Sequence, residues 1–348
     1  MLWKLLASAI LLSVALVTIE SGWVTYVLSE VRALIIAPHG PTPQDILQAG
    51  ITENDTTVVL AAGDIASCDE RSGLADKLPN TMYLLGFESA LDPTSAMANE
   101  TAALASEWPD AAILALGDTV YSKGRPVEYA DCFDPVWGFL KPRILPTPGN
   151  HEYKTPGAFG YYDYFGAQAG PERRGWYVAT APGWLILSLN SEADASPGSP
   201  QSDWLRDRLN EDGEVCILGF YHKPAHSLRA RDGRENAVNL FRQLQQAGAS
   251  VVLNGHNHFY ERTAPLDSYG EIATGLGTVA FTVGTGGVID DPIPKLPATE
   301  AAIFGRTGLL RLDLRKSSYR WAYVDALTGN VLDAGSRPCN PMRLDSLD

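Results

Sequence analysis

Short uncharged runs recur along the chain, each ending in a polar or glycine-containing loop. Val58 to Ala62, Ala112 to Leu116, Leu185 to Leu189, Val215 to Phe220 and Val251 to Leu253 have the look of buried strands. Between some of them, Ser95 to Trp108, Ser202 to Asn210 and Glu235 to Ala247 read as helices, the last with Gly248 as its stop. Strand, loop and helix in alternation predict an α/β architecture with both sheet faces covered. Val279 to Val283, Leu309 to Leu314 and Tyr319 to Val324 lie close together without intervening helices, which predicts antiparallel pairs and hence mixed sheets. No internal repeat is visible.

The amino terminus follows a different pattern. Leu5 to Ile19 is an uncharged apolar run between Lys4 and Glu20. As a helix rising ~1.5 Å per residue it covers about 22 Å, short of a ~30 Å hydrocarbon core unless its flanks extend it. A basic start before such a run reads as an export signal. No small-x-small cleavage site follows it, and Trp23 to Ile36 continues moderately apolar, so a cleaved signal peptide and an uncleaved anchor both stay open for residues 1–22. His39 to Thr56 is rich in Pro, Gly and polar residues and reads as a linker, which makes residues 23–56 a membrane-proximal segment. The globular domain is expected from Thr57 to about residue 340.

Composition narrows the partners. The 348 residues are 45% hydrophobic and 20% charged, which excludes a disordered chain. A net charge of −14 sets the molecule against bulk binding of nucleic acid. The four cysteines, Cys68, Cys132, Cys216 and Cys339, form no Cys-x-x-Cys pair and so no zinc ribbon. An exported chain would use them in one or two disulfides, with Cys68 to Cys132 the first expectation. Cys216, inside an apolar run, reads as a buried core thiol.

Five of the six histidines fall in loops after predicted strands: His151, His222, His226, His256 and His258. The strands at Val59 to Ala62, Leu114 to Leu116, Leu145 to Pro148, Leu218 to Tyr221 and Val251 to Asn254 lead to Gly63-Asp64, Gly117-Asp118, Gly149-Asn150-His151-Glu152, His222-Lys223-Pro224 and Gly255-His256-Asn257-His258. Taken singly, each has an ordinary reading: Gly-Asp after a strand is commonly a turn, and His-x-His is commonly two surface imidazoles. Jointly and in this order they argue for one site outside the carboxyl ends of the strands. The glycines before Asp64, Asp118, Asn150 and His256 are expected to let the backbone turn.

This ordered set resembles the calcineurin-like metallophosphoesterases, and within them the purple acid phosphatase-like branch, over roughly Thr57 to Arg262. Many members of that family carry a metal-binding histidine two residues after the first Asp. Here that position is Ala66, and the resemblance to the purple branch puts Tyr121 in its place. The resemblance implies a four-layer α/β/β/α sandwich. It implies one metal on Asp64, Asp118, Tyr121 and His258 and a second on Asp118, Asn150, His222 and His256, with Asp118 shared. Hard anionic oxygens at the first site suit Fe³⁺. One shared carboxylate, an amide and two imidazoles at the second suit Zn²⁺, Fe²⁺ or Mn²⁺.

The implied chemistry is hydrolysis of a phosphate ester by a metal-activated water, with no covalent enzyme intermediate. His151 is expected to face the substrate, with Glu152 orienting it and His226 as a second phosphate contact, although a loop histidine reads equally well there. Arg229, Arg231 and Arg234 read as a solvated loop able to attract an anion. Gly284-Thr285-Gly286-Gly287 lacks the Gly-Lys-Ser/Thr of a phosphate loop and reads as a turn. Phosphate monoesters are the favoured substrates. Phosphodiesters or nucleotides, and a non-catalytic cell-surface module of the same fold, are the alternatives. An exported protein, secreted or held at a membrane through residues 5–19, is expected, and oligomeric state is not legible.

Overall fold

In the computed structural model, residues 13–14, 23–35, 37–52, 54–70, 91–93, 96–210, 216–229 and 234–340 are described. The run Leu5 to Ile19, apart from Ser13 and Val14, and Arg231 lie outside them. In chain order the helices are α1 (Trp23–Ile35), α2 (Pro43–Ala49), α3 (Ala96–Ala105), α4 (Phe159–Phe165), α5 (Pro200–Leu209) and α6 (Glu235–Gln246), with short helical turns between Pro126 and Arg143. The first strands are β1 (Thr57–Ala62), a ribbon of β2 (Cys68–Glu70) and β3 (Leu91–Pro93), β4 (Ala112–Leu116) and β5 (Ile144–Thr147). They are followed by β6 (Tyr177–Ala181), β7 (Trp184–Ser188), β8 (Cys216–Phe220), β9 (Val251–Asn254), β10 (Tyr260–Thr263) and β11 (Val279–Val283). The last are β12 (Thr299–Ile303), β13 (Gly308–Arg315), β14 (Ser318–Asp325) and β15 (Val331–Pro338).

The strands form two mixed sheets, in the orders β15-β14-β13-β1-β4-β5 and β12-β10-β11-β9-β8-β7-β6. β1, β4 and β5 are mutually parallel in the first sheet. β7, β8, β9 and β11 are parallel in the second. Alternation along β1 explains why these strands read as unbroken apolar runs: Val59 and Ala61 enter the layer between the sheets, whereas Leu60 and Ala62 face a helical layer. The middle layer also takes Leu114, Leu116, Leu218, Phe220, Leu253 and Phe281. Outside the first sheet pack α3 and the aromatic side chains of Phe133 and Trp137. Outside the second pack α5 and α6, the latter through Ala237, Leu240, Phe241 and Leu244 at helical spacing. The result is the expected α/β/β/α sandwich.

Three features depart from the sequence reading. The stretch read as a linker contains α2, whose Ile46 and Leu47 are buried in the middle layer, so the body begins before Thr57. Its start is a capping box, with the Thr42 side chain accepting from Asp45 N and the Asp45 carboxylate accepting from Thr42 N. Cys216 is not a free core thiol: it is bonded to Cys339, where the chain returns after β15. The Cys68–Cys132 bridge forms as expected. Lastly, edge strands β6, β12 and β15 and the short β10 carry too weak an apolar signal to be read; β15 alternates between exposed and half-buried positions from Leu332 onward.

A charged knot joins one edge of the first sheet to the second. Asp333 on β15 accepts from Tyr260 OH at 2.6 Å, Arg262 Nε at 2.8 Å and Trp321 Nε1 at 3.0 Å. Tyr260 and Arg262 belong to β10, and Arg262 also pairs with Glu300 on β12. Partial burial alone would raise the Asp333 carboxyl, but these bonds outweigh it and hold it below its ordinary 3.8. A depressed carboxyl contributes stability above its unfolded pKa and loses it as pH falls through the folded value. We therefore expect Asp333→Asn to lose about 2–4 kcal/mol at neutral pH. The gap from the parent should close as pH falls below 3.8. Denaturant midpoints across that range measure it, and a gap independent of pH would remove the charge from the account.

Candidate metal centre

The seven candidate ligands stand just past the ends of β1, β4, β5, β8 and β9, where the loops press closely together. Asp64 N donates to Gly117 O, Ile65 N to Asp118 O and Tyr121 N to Ala66 O, so the loops after β1 and β4 run side by side beyond the sheet. The turning is not done mainly by the glycines. Asp64, Asp118 and His256 themselves adopt left-handed φ values of 61°, 47° and 70°. Of the four preceding glycines only Gly117 has positive φ. The other three are required for lack of room. A Cβ on Gly255 would lie 2.6 Å from Leu116 O, one on Gly63 2.9 Å from the same oxygen, and one on Gly149 would strike the Asp118 carboxylate.

The donor atoms fall into two sets. Asp64 Oδ1 accepts from Tyr121 OH at 2.6 Å, and His258 Nε2 lies 3.3 Å from that hydroxyl and 3.4 Å from Asp64 Oδ1. Around His222 Nε2 gather Asp118 Oδ2 at 3.1 Å, Asn150 Oδ1 at 3.2 Å and His256 Nδ1 at 3.2 Å. Asp118, His222 and His256 each offer one donor atom within 4.8 Å of the others. Leu116 O can only accept, so its 2.8 Å contact with His222 Nδ1 fixes a proton there and turns Nε2 inward.

Buried charge dominates the electrostatics. Burial alone would raise both Asp64 and Asp118, yet both stay below the ordinary carboxylate range. A hydrogen bond and attraction from His258 hold Asp64 down, and the attraction of His222 does the same for Asp118. Backbone amides help: His256 N donates to Asp64 Oδ2 at 2.7 Å and His151 N to Asp118 Oδ1 at 2.8 Å. His222, which burial would lower, is instead pushed up to about 10 by Asp118. The Tyr121 phenol is raised well above its usual value by burial, then by Asp64 and Asp118. Two buried carboxylates, an amide oxygen, a phenol and inward-facing imidazoles call for positive charge at the centre. That donor set fits metal cations.

Asp64 and His222 are fully buried, whereas His151, His256 and His258 are partly open, so the centre faces solvent on their side. His151 Nδ1 is held by Ser122 O at 2.7 Å. Its Nε2 lies 3.9 Å from Asp118 Oδ2 and 3.0 Å from Lys154 Nζ. The Glu152 carboxylate, expected to orient His151, is engaged elsewhere. It accepts from Asp118 N at 3.0 Å, Thr119 N at 2.8 Å and Gly149 N at 2.7 Å, which locks the loop after β4 to the loop after β5. Burial, then the Asp118 charge, pushes Glu152 up to about 7.

His226 stacks edge-on to Phe241 at 4.7 Å and lies against Gly270, and neither is a candidate ligand. Arg229 does reach the site's rim, pairing at 2.9 Å with Asp290, whose carboxylate also accepts from His258 N at 3.2 Å and lies 3.4 Å from His258 Nδ1. Asp290 and Lys154 went unread in the sequence. Asp290 lies 32 residues beyond His258 with no motif to mark it, whereas Lys154, three residues after His151, was within sight.

A model of the calcineurin-like phosphoesterase family matches residues 57–260, a span holding all seven candidate ligands. Probable purple acid phosphatase 20 of Arabidopsis thaliana is 24% identical, covering 66% of this chain and 59% of its own. A nucleotide pyrophosphatase/phosphodiesterase of Hordeum vulgare is also 24% identical, covering 63% and 69%. Among solved structures, purple acid phosphatase PPD1 of yellow lupin superposes with a TM-score of 0.63 at 16% identity, over 81% of this chain and 54% of that one. PhoD superposes with a TM-score of 0.52 at 12% identity, over 83% and 71%. These superpositions support the sandwich fold, and the purple acid phosphatase relatives support that branch. The chain spans between half and three-fifths of the purple acid phosphatases it matches.

Glu152→Ala would strand three buried amides and is expected to cost about 3–5 kcal/mol, read as a urea midpoint in the presence of chelator. Glu152→Gln should recover part of the loss through its remaining oxygen. A loss under about 1 kcal/mol would show that the two loops are held by something else.

Proposed function

The chain belongs to the calcineurin-like phosphoesterase family, and we propose that it is a phosphomonoesterase of the purple acid phosphatase-like kind, working with two metal ions. One observation carries the reading: seven donor side chains from the loops after five strands sort into two neighbouring sets, one around the buried Asp64 and one around the buried Asp118. Asp64, Asp118, Tyr121 and His258 would hold Fe³⁺. Asp118, Asn150, His222 and His256 would hold Zn²⁺, Fe²⁺ or Mn²⁺. When bound, the cations supply Lewis acidity toward the phosphoryl oxygens and the attacking water.

The protein's own groups supply the rest. Breaking the P–O bond of a monoester leaves an alkoxide that needs one proton. With Nδ1–H of His151 held by Ser122 O, Nε2 is the nitrogen left on the open side of the centre, and it can give the leaving group a proton from the imidazolium form, which burial disfavours and the Asp118 charge favours. Lys154 adds a positive charge beside it, suited to a phosphate dianion. Glu152 acts through the backbone by keeping the Asp118 and Asn150 loops in register. The similarity to the nucleotide pyrophosphatase/phosphodiesterase of Hordeum vulgare favours diester or nucleotide hydrolysis as the second reading, since one donor set would serve both. Two disulfides suit an exported protein in an oxidising compartment.

Asp118→Asn should reduce aryl phosphate hydrolysis by at least about three orders of magnitude and lower the metal content of the purified protein. If aryl diesters are turned over faster than aryl monoesters, the second reading takes the first one's place. Retained metal with no turnover of either ester leaves a binding module. Tyr121→Phe should remove a visible tyrosinate-to-Fe³⁺ absorption band from iron-loaded protein, and a parent protein without that band would remove Tyr121 from the ligands. His151→Ala should slow alkyl phosphates more than aryl phosphates, because poorer leaving groups depend more on the transferred proton. Equal loss on both would make His151 a binding residue.

A further inference from the structure

The helix α1 is amphipathic in a way the catalytic reading does not use. Trp23, Val27, Leu28, Val31, Leu34 and Ile35 are all exposed, Leu34 at 88% and Ile35 at 78%. At about 100° per residue these six fall within an arc of roughly 140° on one side of the helix. The opposite side is fastened to the body. Ser29 is buried and donates to Asp163 Oδ1 on α4 at 2.7 Å. Arg173 donates to Ser29 Oγ at 2.6 Å and to Glu30 Oε1 at 3.0 Å, and also pairs with Asp163. The Tyr26 ring lies against Gly157. The helix is thus held to the protein by polar bonds while a continuous apolar strip points away from it.

We propose that α1 lies flat on a lipid bilayer, its apolar strip in the boundary between headgroups and acyl chains and its polar side carrying the folded body. The occupant is argued from the chain itself. Only Glu20, Ser21 and Gly22 separate α1 from the uncharged run Leu5 to Ile19, so a bilayer that takes up that run is within reach of the strip. None of the described helices is long and apolar enough to cross a membrane, and a strip confined to one side suits a helix lying in the interface. Trp23 opens the strip, and Trp favours that boundary. With a net charge of −14, the protein is repelled rather than held by anionic lipid, so contact rests on apolar area and is not weakened by salt. This inference is independent of the proposed activity.

The test uses the full chain in vesicles of phosphatidylcholine, with and without phosphatidylglycerol. A nitroxide is attached at Leu28→Cys or Val31→Cys, with Tyr269→Cys as a reference on the body. All three positions are exposed, so the substitutions disturb no packing, and the four native cysteines are held in disulfides. Collisions with oxygen and with a water-soluble nickel chelate are then read by electron paramagnetic resonance. Oxygen should exceed nickel several-fold at 28 and 31 and fall below it at 269, with either lipid and at high salt. Nickel-dominated collisions at all three positions would place the strip in water. Spin–spin broadening at 28 and 31 would place a second copy on it, and protection from both reagents would mean that the chain covers it itself. Each of these results overturns the proposal.

Discussion

Two carboxylates buried side by side at the seam of two sheets are the condition from which the rest of the centre follows. Asp64 and Asp118 are almost wholly removed from water, and such charges are tolerated only where donors and positive charge surround them. Backbone amides of His256 and His151 turn toward them, and His222 is pushed up to about 10 beside Asp118. Bringing those amides into place bends the backbone into left-handed conformations at Asp64, Asp118 and His256 and leaves no volume for a Cβ at Gly63, Gly149 or Gly255. Cation demand, backbone strain and small residues are three expressions of the same requirement.

The division of labour between the partners of the centre follows burial. Glu152, fully enclosed, acts on the backbone and keeps two loops in register. His151, Lys154 and the Asp290–Arg229 pair lie toward the open side, where charge is available to an incoming anion. An imidazole's role is set by what holds its other nitrogen. Leu116 O leaves His222 facing inward, whereas Ser122 O leaves His151 Nε2 facing outward.

Strands buried on both faces announce themselves as apolar runs, and so the ends of β1, β4, β8 and β9 were legible together with the ligand candidates they deliver. The layered architecture came from the family resemblance, which the strand order bears out. Elements with one wet face were harder. β15 mixes polar and apolar positions and is fixed by Asp333 reaching across to β10, a pairing with no local trace. Thr42 and Asp45 spell a capping box in plain view, but the surrounding prolines and glycine obscured it. The partner of Cys216 is 123 residues away, and an apolar run around a thiol looks the same whether or not it is bonded.

The pairing of β1 with β13 has a consequence in time as well as space. Val58 faces Asp313, so the first strand of the body waits for roughly 250 further residues before its antiparallel neighbour exists. At about 5–20 residues per second, a growing chain carries that half-finished edge for on the order of tens of seconds. Completion of the first sheet is therefore a late event, and an open strand edge is a template for pairing with other chains. The nascent polypeptide is most exposed to misassociation after its ligand loops have been synthesised and before its last hairpins arrive.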